Sequence, residues 1–148
     1  MTKTGPIIVI EDDIDDQEIL SEIFQNLKLI NEIIFFSDGD AAIEYLSRDN
    51  IAPFIILSDI NMPKINGFEL RKIITTNAKL HIKCIPYLFF TTGVSKKAVL
   101  DAYAMSVQGF FKKSNNIREL ENTIRKIVEY WEECFAPGLE DLESLPHV

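Results

Sequence analysis

Apolar residues in this chain fall into short unbroken runs separated by stretches of helical spacing. Ile7 to Ile10 is a continuous β-branched run with no alternation, which suits a strand covered on both faces of a parallel sheet. Ile33 to Phe36, Phe54 to Leu57, Ile85 to Phe90 and Gly109 to Phe111 repeat the pattern, each bounded by polar, Gly or Pro residues. The stretches between them carry one-sided apolar spacing: Ile19, Leu20, Ile23, Phe24 and Leu27; Ala42, Ile43 and Leu46; Phe68, Leu70, Ile73 and Ile74; Ala98, Val99, Ala102 and Tyr103. A fifth such stretch holds Leu120, Ile124, Ile127, Val128 and Trp131. Five strands alternating with five helices predict successive right-handed crossovers, and hence a doubly wound α/β fold with a five-stranded parallel sheet between helical layers. The last helix is expected to stop near Phe135, ahead of Pro137 and Gly138. One folded domain over residues 1–135 and a short acidic tail over 136–148, with Glu140, Asp141 and Glu143, is the organisation this implies.

Composition narrows the classes of function. At 148 residues and 47% hydrophobic content, one domain can bury its core without staples. Fifteen basic against 23 acidic side chains give a net charge of -8, which disfavours nucleic acid or an anionic membrane as a partner, since phosphate contacts need clustered positive charge. No apolar run approaches a membrane span, and Met1 to Pro6 lacks the regions of a signal peptide, so a cytoplasmic location is expected. Cys84 and Cys134 are far apart and His81 and His147 have no ligand partners nearby, which argues for free thiols and against a zinc site.

In open α/β sheets the ligand site lies outside the carboxyl ends of the strands. The first strand runs into Glu11, Asp12 and Asp13; the third into Ser58, Asp59, Ile60 and Asn61; the fourth into Thr91, Thr92 and Gly93; the fifth into Lys112, Lys113 and Ser114. Carboxylates crowded into one cleft repel one another, and a hard divalent cation, Mg²⁺ above all, is the usual means of holding them. Alone, the acids after the first strand equally suit the start of a helix near Asp15. Asp59, closing an apolar strand at the same edge, adds a carboxylate able to attack phosphorus. Lys113 offers a point charge and Thr91 a hydroxyl donor for phosphoryl oxygens.

These segments resemble the receiver domain of bacterial two-component response regulators over about residues 6 to 134. The likeness is carried by Ile-Ile-Val-Ile-Glu-Asp-Asp (7 to 13), Leu-Ser-Asp-Ile-Asn-Met-Pro-Lys-Ile-Asn-Gly-Phe-Glu-Leu (57 to 70), Phe-Phe-Thr-Thr (89 to 92) and Gly-Phe-Phe-Lys-Lys (109 to 113). It implies a flavodoxin-like (βα)5 fold with Asp59 as phosphoacceptor. Glu11, Asp12, Asp59 and the Asn61 carbonyl would face Mg²⁺. Thr91, with Thr92 beside it, and Lys113 would meet the phosphoryl group, and Phe110 would be the aromatic switch position. The long last helix with Tyr130 and Trp131 and a short tail is similar to stand-alone regulators paired with phytochrome-type histidine kinases.

The implied function is a switch that takes a phosphoryl group from a histidine kinase. It would signal to a downstream protein target or a histidine phosphotransferase, and its only catalysis would be its own phosphorylation and dephosphorylation. The apolar residues of the last helix, with Phe135, Leu139 and Leu142, either cover a second copy in a homodimer or fold back on their own domain. One departure stands out: Ser114 occupies the place where the family usually has Pro, so the loop aiming Lys113 is expected to differ, with a trans peptide bond as the default. A degenerate receiver that binds a partner without phosphorylation is the alternative this raises. A phosphatase of the haloacid dehalogenase type would need a second acid where Asn61 stands. A flavodoxin-like electron carrier would need a hydroxyl- and glycine-rich loop where Glu11, Asp12 and Asp13 stand.

Overall fold

The computed structural model describes residues 1–138. Strand β1 (Ile7–Ile10) is buried along its whole length, and the reason is a layer on each side of it. Successive side chains of a strand point to opposite faces. Ile7 and Val9 enter one cluster with Leu20, Ile23 and Phe24 of α1 (Ile14–Leu27) and Leu120, Ile124, Ile127 and Val128 of α6 (Ile117–Glu133). Ile8 and Ile10 enter the other, with Ala42 and Leu46 of α2 (Gly39–Leu46), Leu70 and Ile74 of α3 (Gly67–Thr76), and Ala102 of α5 (Lys96–Ala104). The unbroken apolar runs thus reflect burial on both faces.

Strands β2 (Ile33–Phe36), β3 (Ile55–Ser58), β4 (Tyr87–Thr91) and β5 (Gly109–Lys112) complete one parallel sheet in the order β2-β1-β3-β4-β5. Ile7 lies opposite both Ile33 and Ile55, and Thr91 lies opposite Lys112. The carboxyl ends of β1, β3, β4 and β5 therefore meet at one rim. Among the described residues no helix is long and apolar enough to cross a membrane.

Several boundaries differ from expectation, and β3, β4 and β5 each end one residue beyond the apolar run. Strands β3 and β4 start one and two residues later than the apolar runs: Ile56 is the β3 residue that pairs with Tyr87, and Pro86 serves only through its carbonyl, 2.9 Å from the Ile56 N–H. A sixth helix, α4 (Ala78–His81), is a single turn capped by the Asn77 side chain and pinned by buried Leu80. Helix α6 ends at Glu133; Cys134 is already extended, in keeping with the bar that Pro137 sets on helical geometry just before it. The part of the tail from Leu139 onward, Leu142 included, lies outside the described residues.

Two buried cations brace the scaffold away from the rim. Lys83 Nζ donates to the carbonyls of Leu46, Arg48 and Ile51 at 2.6, 2.8 and 2.9 Å, pairing the last carbonyl of α2 and two in the loop that follows it. Arg71 donates to Met105 O and Ser106 O at 3.2 and 2.8 Å and lies over the Tyr87 ring, tying α3 to the approach to β5.

Candidate functional site

The rim is built as a continuation of the sheet. The Glu11 N–H donates to Phe36 O at 2.9 Å and the Asp59 N–H to Ile10 O at 3.0 Å, so both acids leave the ladder with their backbones still anchored. Asp59 is further held by Ile60, whose N–H donates to its Oδ1 at 2.7 Å, and by the Ser58 hydroxyl, which donates to its carbonyl at 2.8 Å. Gly67 opens α3 directly beneath: a methyl group there would sit 2.3 Å from Asp59 O and 2.7 Å from the Phe89 ring. Only glycine allows that approach.

Glu11, Asp12 and Asp59 each offer a carboxylate oxygen within 4.8 Å of the other two. Oxygens around Mg²⁺ lie about 2.1 Å from the ion, hence at most about 4.2 Å apart, so a sub-ångström closure converts this spacing into a coordination site. The donor set fits the ion: all oxygen, two carboxylates at least partly accessible and one, Glu11, only 1% exposed. Asn61 lies on the exposed loop after β3, with its amide 3.7 Å from where a side chain on Gly93 would begin.

Across this notch comes Lys113, 7% exposed, whose ammonium donates to Glu11 Oε2, to Asp16 Oδ2 at 3.2 Å and to Asp59 Oδ2 at 3.3 Å. The Lys113–Ser114 bond is trans, and the amine still reaches Asp59. Burial pulls the ammonium toward neutrality, but the Glu11 hydrogen bond and the charges of Glu11, Asp59 and Asp16 outweigh it and hold Lys113 above the ordinary lysine range. Burial drives Glu11 the other way from an ordinary carboxylate, and the Asp59 charge adds to it. Lys113 and the Asp13 N–H only partly offset this, and Glu11 is held at about 7.

Thr91 is fully buried, and its hydroxyl is a side-chain group that finds no hydrogen-bond partner. Its carbonyl accepts the Lys113 N–H at 2.8 Å. Thr92 is exposed and lines a crevice of about 130 Å³ with Asp16, Lys113 and Ser114, which Glu11, Asp12 and Asp59 do not line. Phe110 is half-buried, its ring packed edge-on to Phe89 with centroids 6.1 Å apart.

The structure thus brings Glu11, Asp12, Asp59 and Lys113 together and places Thr91 at the adjoining end of β4. Sequence reasoning missed Asp16. It stands in the first turn of α1, where Asp13 caps the helix by accepting the Asp16 N–H at 3.0 Å. No local signal in the sequence separates Asp16 from Asp13 and Asp15.

Comparisons with known proteins agree with this geometry. Response regulator Rcp1 of Synechocystis sp. is 30% identical over 130 residues, covering 84% of this chain and 87% of Rcp1. A probable methanogenesis regulatory protein, FilR2 of Methanothrix harundinacea, is 28% identical, covering 84% and 82% of the two chains. Among solved structures, the phosphorylated cyanobacterial phytochrome response regulator RcpA superposes with a TM-score of 0.79 at 26% identity, covering 89% of this chain and 96% of that one. The Mn²⁺-bound form of Rcp1 gives 0.78 at 28% identity, covering 90% and 99%. The family model for the response regulator receiver domain matches residues 7–125, from the first strand into the last helix. By that match, spanning both helical layers and every wall of the notch, the chain belongs to the response regulator receiver domain family.

Proposed function

We propose that Asp59 accepts a phosphoryl group from the phosphohistidine of a histidine kinase and that the chain thereby works as a two-component signalling switch. The observation that carries this reading is the Lys113 ammonium 3.3 Å from Asp59 Oδ2 inside a cluster of acids. An Asp59 oxygen attacks phosphorus, the P–N bond to the imidazole breaks, and the imidazole departs with the bonding pair. Lys113 supplies positive charge where the phosphoryl oxygens gather it. Mg²⁺, held by Glu11, Asp12, Asp59 and the Asn61 carbonyl, would neutralise charge on those same oxygens. Ser114 was the one feature favouring a phosphorylation-independent binding module, and it does not separate the amine from the carboxylates.

Incubation with Mg²⁺ and acetyl phosphate tests the reading by intact mass. We expect one added phosphoryl group, absent when EDTA is present; an unchanged mass under both conditions contradicts it.

The new oxygens give the unpartnered Thr91 hydroxyl an acceptor, so Thr91 moves toward Asp59 and Phe110 follows into the space released. A buried hydroxyl without a partner costs free energy in the resting state. Thr91→Val should therefore be as stable as wild type or up to about 1 kcal/mol more stable in urea, should still take the phosphoryl group, and should lose the response of β5. Amide spectra with and without beryllofluoride check this: wild-type shifts around Phe110 in the variant would refute the coupling.

Glu11 links the ion to pH. Its folded value of about 7 lies above the 4.5 of the free side chain, so the metal-free fold binds the extra proton between those values. This contribution favours folding below about 4.5 and is lost as pH rises through about 7. Mg²⁺ must displace the same proton. Its affinity should thus fall up to tenfold per pH unit below about 7, and the rise in melting temperature on adding Mg²⁺ should be larger at pH 8 than at pH 6. Calorimetric titration at the two pH values decides; equal affinities would contradict the assignment of Glu11 as a ligand.

Residues 1–135 form the receiver domain in this reading, and 136–148 a short acidic tail. Cytoplasmic location, a histidine kinase as donor, and a downstream protein target or histidine phosphotransferase as recipient complete it, with nucleic acid disfavoured by the charge of -8. A homodimer through α6 would use Tyr130, 63% exposed, and fully exposed Phe135 just beyond the helix.

A further inference from the structure

Ser114 is left without a task by the chemistry above, yet its side chain is not idle. Its hydroxyl donates to Glu119 Oε2 at 2.6 Å and accepts the Asn116 N–H at 3.1 Å. Asn116 caps α6, its Oδ1 taking the N–H groups of Arg118 and Glu119 at 2.9 and 3.2 Å. Glu119 stands in the first turn of that helix, where the unpaired N–H groups favour an acid. On the other side, the Lys113 N–H is tied to Thr91 O at 2.8 Å. The turn from β5 to α6 is therefore anchored to β4 at Lys113 and to the first turn of α6 at the very next residue.

Ser114 is half-buried and Asn116 and Glu119 are exposed, so water can replace these bonds at small cost to global stability. What the bonds fix is direction. Lys113 must thread a long side chain into a notch where it is 7% exposed, and a small rotation of its backbone is magnified at the ammonium.

Resting on the reading that Asp59 accepts the phosphoryl group, we propose that Ser114 and Glu119 form a positioning pair that aims the Lys113 amine at that group. Their loss slows transfer without weakening metal binding or the fold.

The test follows phosphoryl uptake by intact mass in Ser114→Ala, Ser114→Thr, Glu119→Ala and the Ser114→Ala/Glu119→Ala double variant, across a range of acetyl phosphate concentrations with Mg²⁺. Ser114→Ala and Glu119→Ala should each lower the maximal rate by about tenfold with the half-saturating concentration unchanged. The double variant should lose no more than either single one, as a pair acting as one unit requires. Ser114→Thr should keep the wild-type rate, and Mg²⁺ affinity and melting temperature should stay at wild-type values throughout. Wild-type rates in Ser114→Ala, losses that multiply in the double variant, or Mg²⁺ affinity falling in step with the rate would each overturn the proposal. A wild-type protein that takes up no phosphoryl group overturns the underlying reading and this one with it, and that result is visible before any variant is compared.

Discussion

Lys113→Ala is expected to slow phosphoryl uptake from acetyl phosphate by on the order of 10²-fold and to destabilise the metal-free fold by about 3 kcal/mol. Both effects come from one ammonium. In the resting protein it is hydrogen-bonded to Glu11, 1% exposed, and touches Asp16 and Asp59 at 3.2 and 3.3 Å. Removing one member of a buried pair leaves the other charge without compensation, which costs more than the pair contributes. Asp16 and Asp59 remain partly wet, which keeps the loss at the lower end of that range. In transfer the same amine faces the developing charge on phosphoryl oxygens, a position worth a few kcal/mol of barrier. The two effects separate with metal. Saturating Mg²⁺ should restore most of the urea stability of the variant and little of its rate. A variant that recovers both would make Lys113 a structural residue only.

The second large effect has the opposite sign on stability. Asp59→Asn should take up no phosphoryl group at all, since an amide offers no nucleophilic carboxylate oxygen. The fold should stand, because the Ile60 N–H that Asp59 Oδ1 accepts at 2.7 Å can be accepted by an amide oxygen. The Asp59 charge is one of the causes that raise Glu11, so its removal brings Glu11 back toward the ordinary carboxylate range. At neutral pH the metal-free variant should thus be at least as stable as wild type in urea, while its Mg²⁺ affinity drops at least tenfold for want of a charged ligand. A variant less stable than wild type by more than about 1 kcal/mol would mean that Asp59 is held for packing, not for chemistry.

The sheet was legible in the chain because burial on both faces writes a strand as an unbroken run, as Ile7 to Ile10 and Tyr87 to Phe90 do. Helix α4 was not, since four residues are too few to show a period and its one core residue, Leu80, carries none. The acids at the rim could be read from strand ends alone. Which of them meets the amine could not: Asp12, Asp13, Asp15 and Asp16 look alike as text, and only the turn of α1 selects Asp16 to face Lys113. Ser114 shows the same limit. As a departure from a family pattern it reads as a threat to the site, whereas its local hydrogen bonds to Glu119 and Asn116 show it bracing the β5 to α6 turn, and that role emerges only once α6 is seen to start just after it.

The most direct measurement traps the modification where it forms. Wild-type protein treated with Mg²⁺ and acetyl phosphate is reduced with borohydride, which converts an acyl phosphate to an alcohol, and then sequenced by tandem mass spectrometry. Homoserine at position 59 and nowhere else is the predicted result; conversion at Glu11 or Asp12, or an unmodified Asp59, would contradict the account.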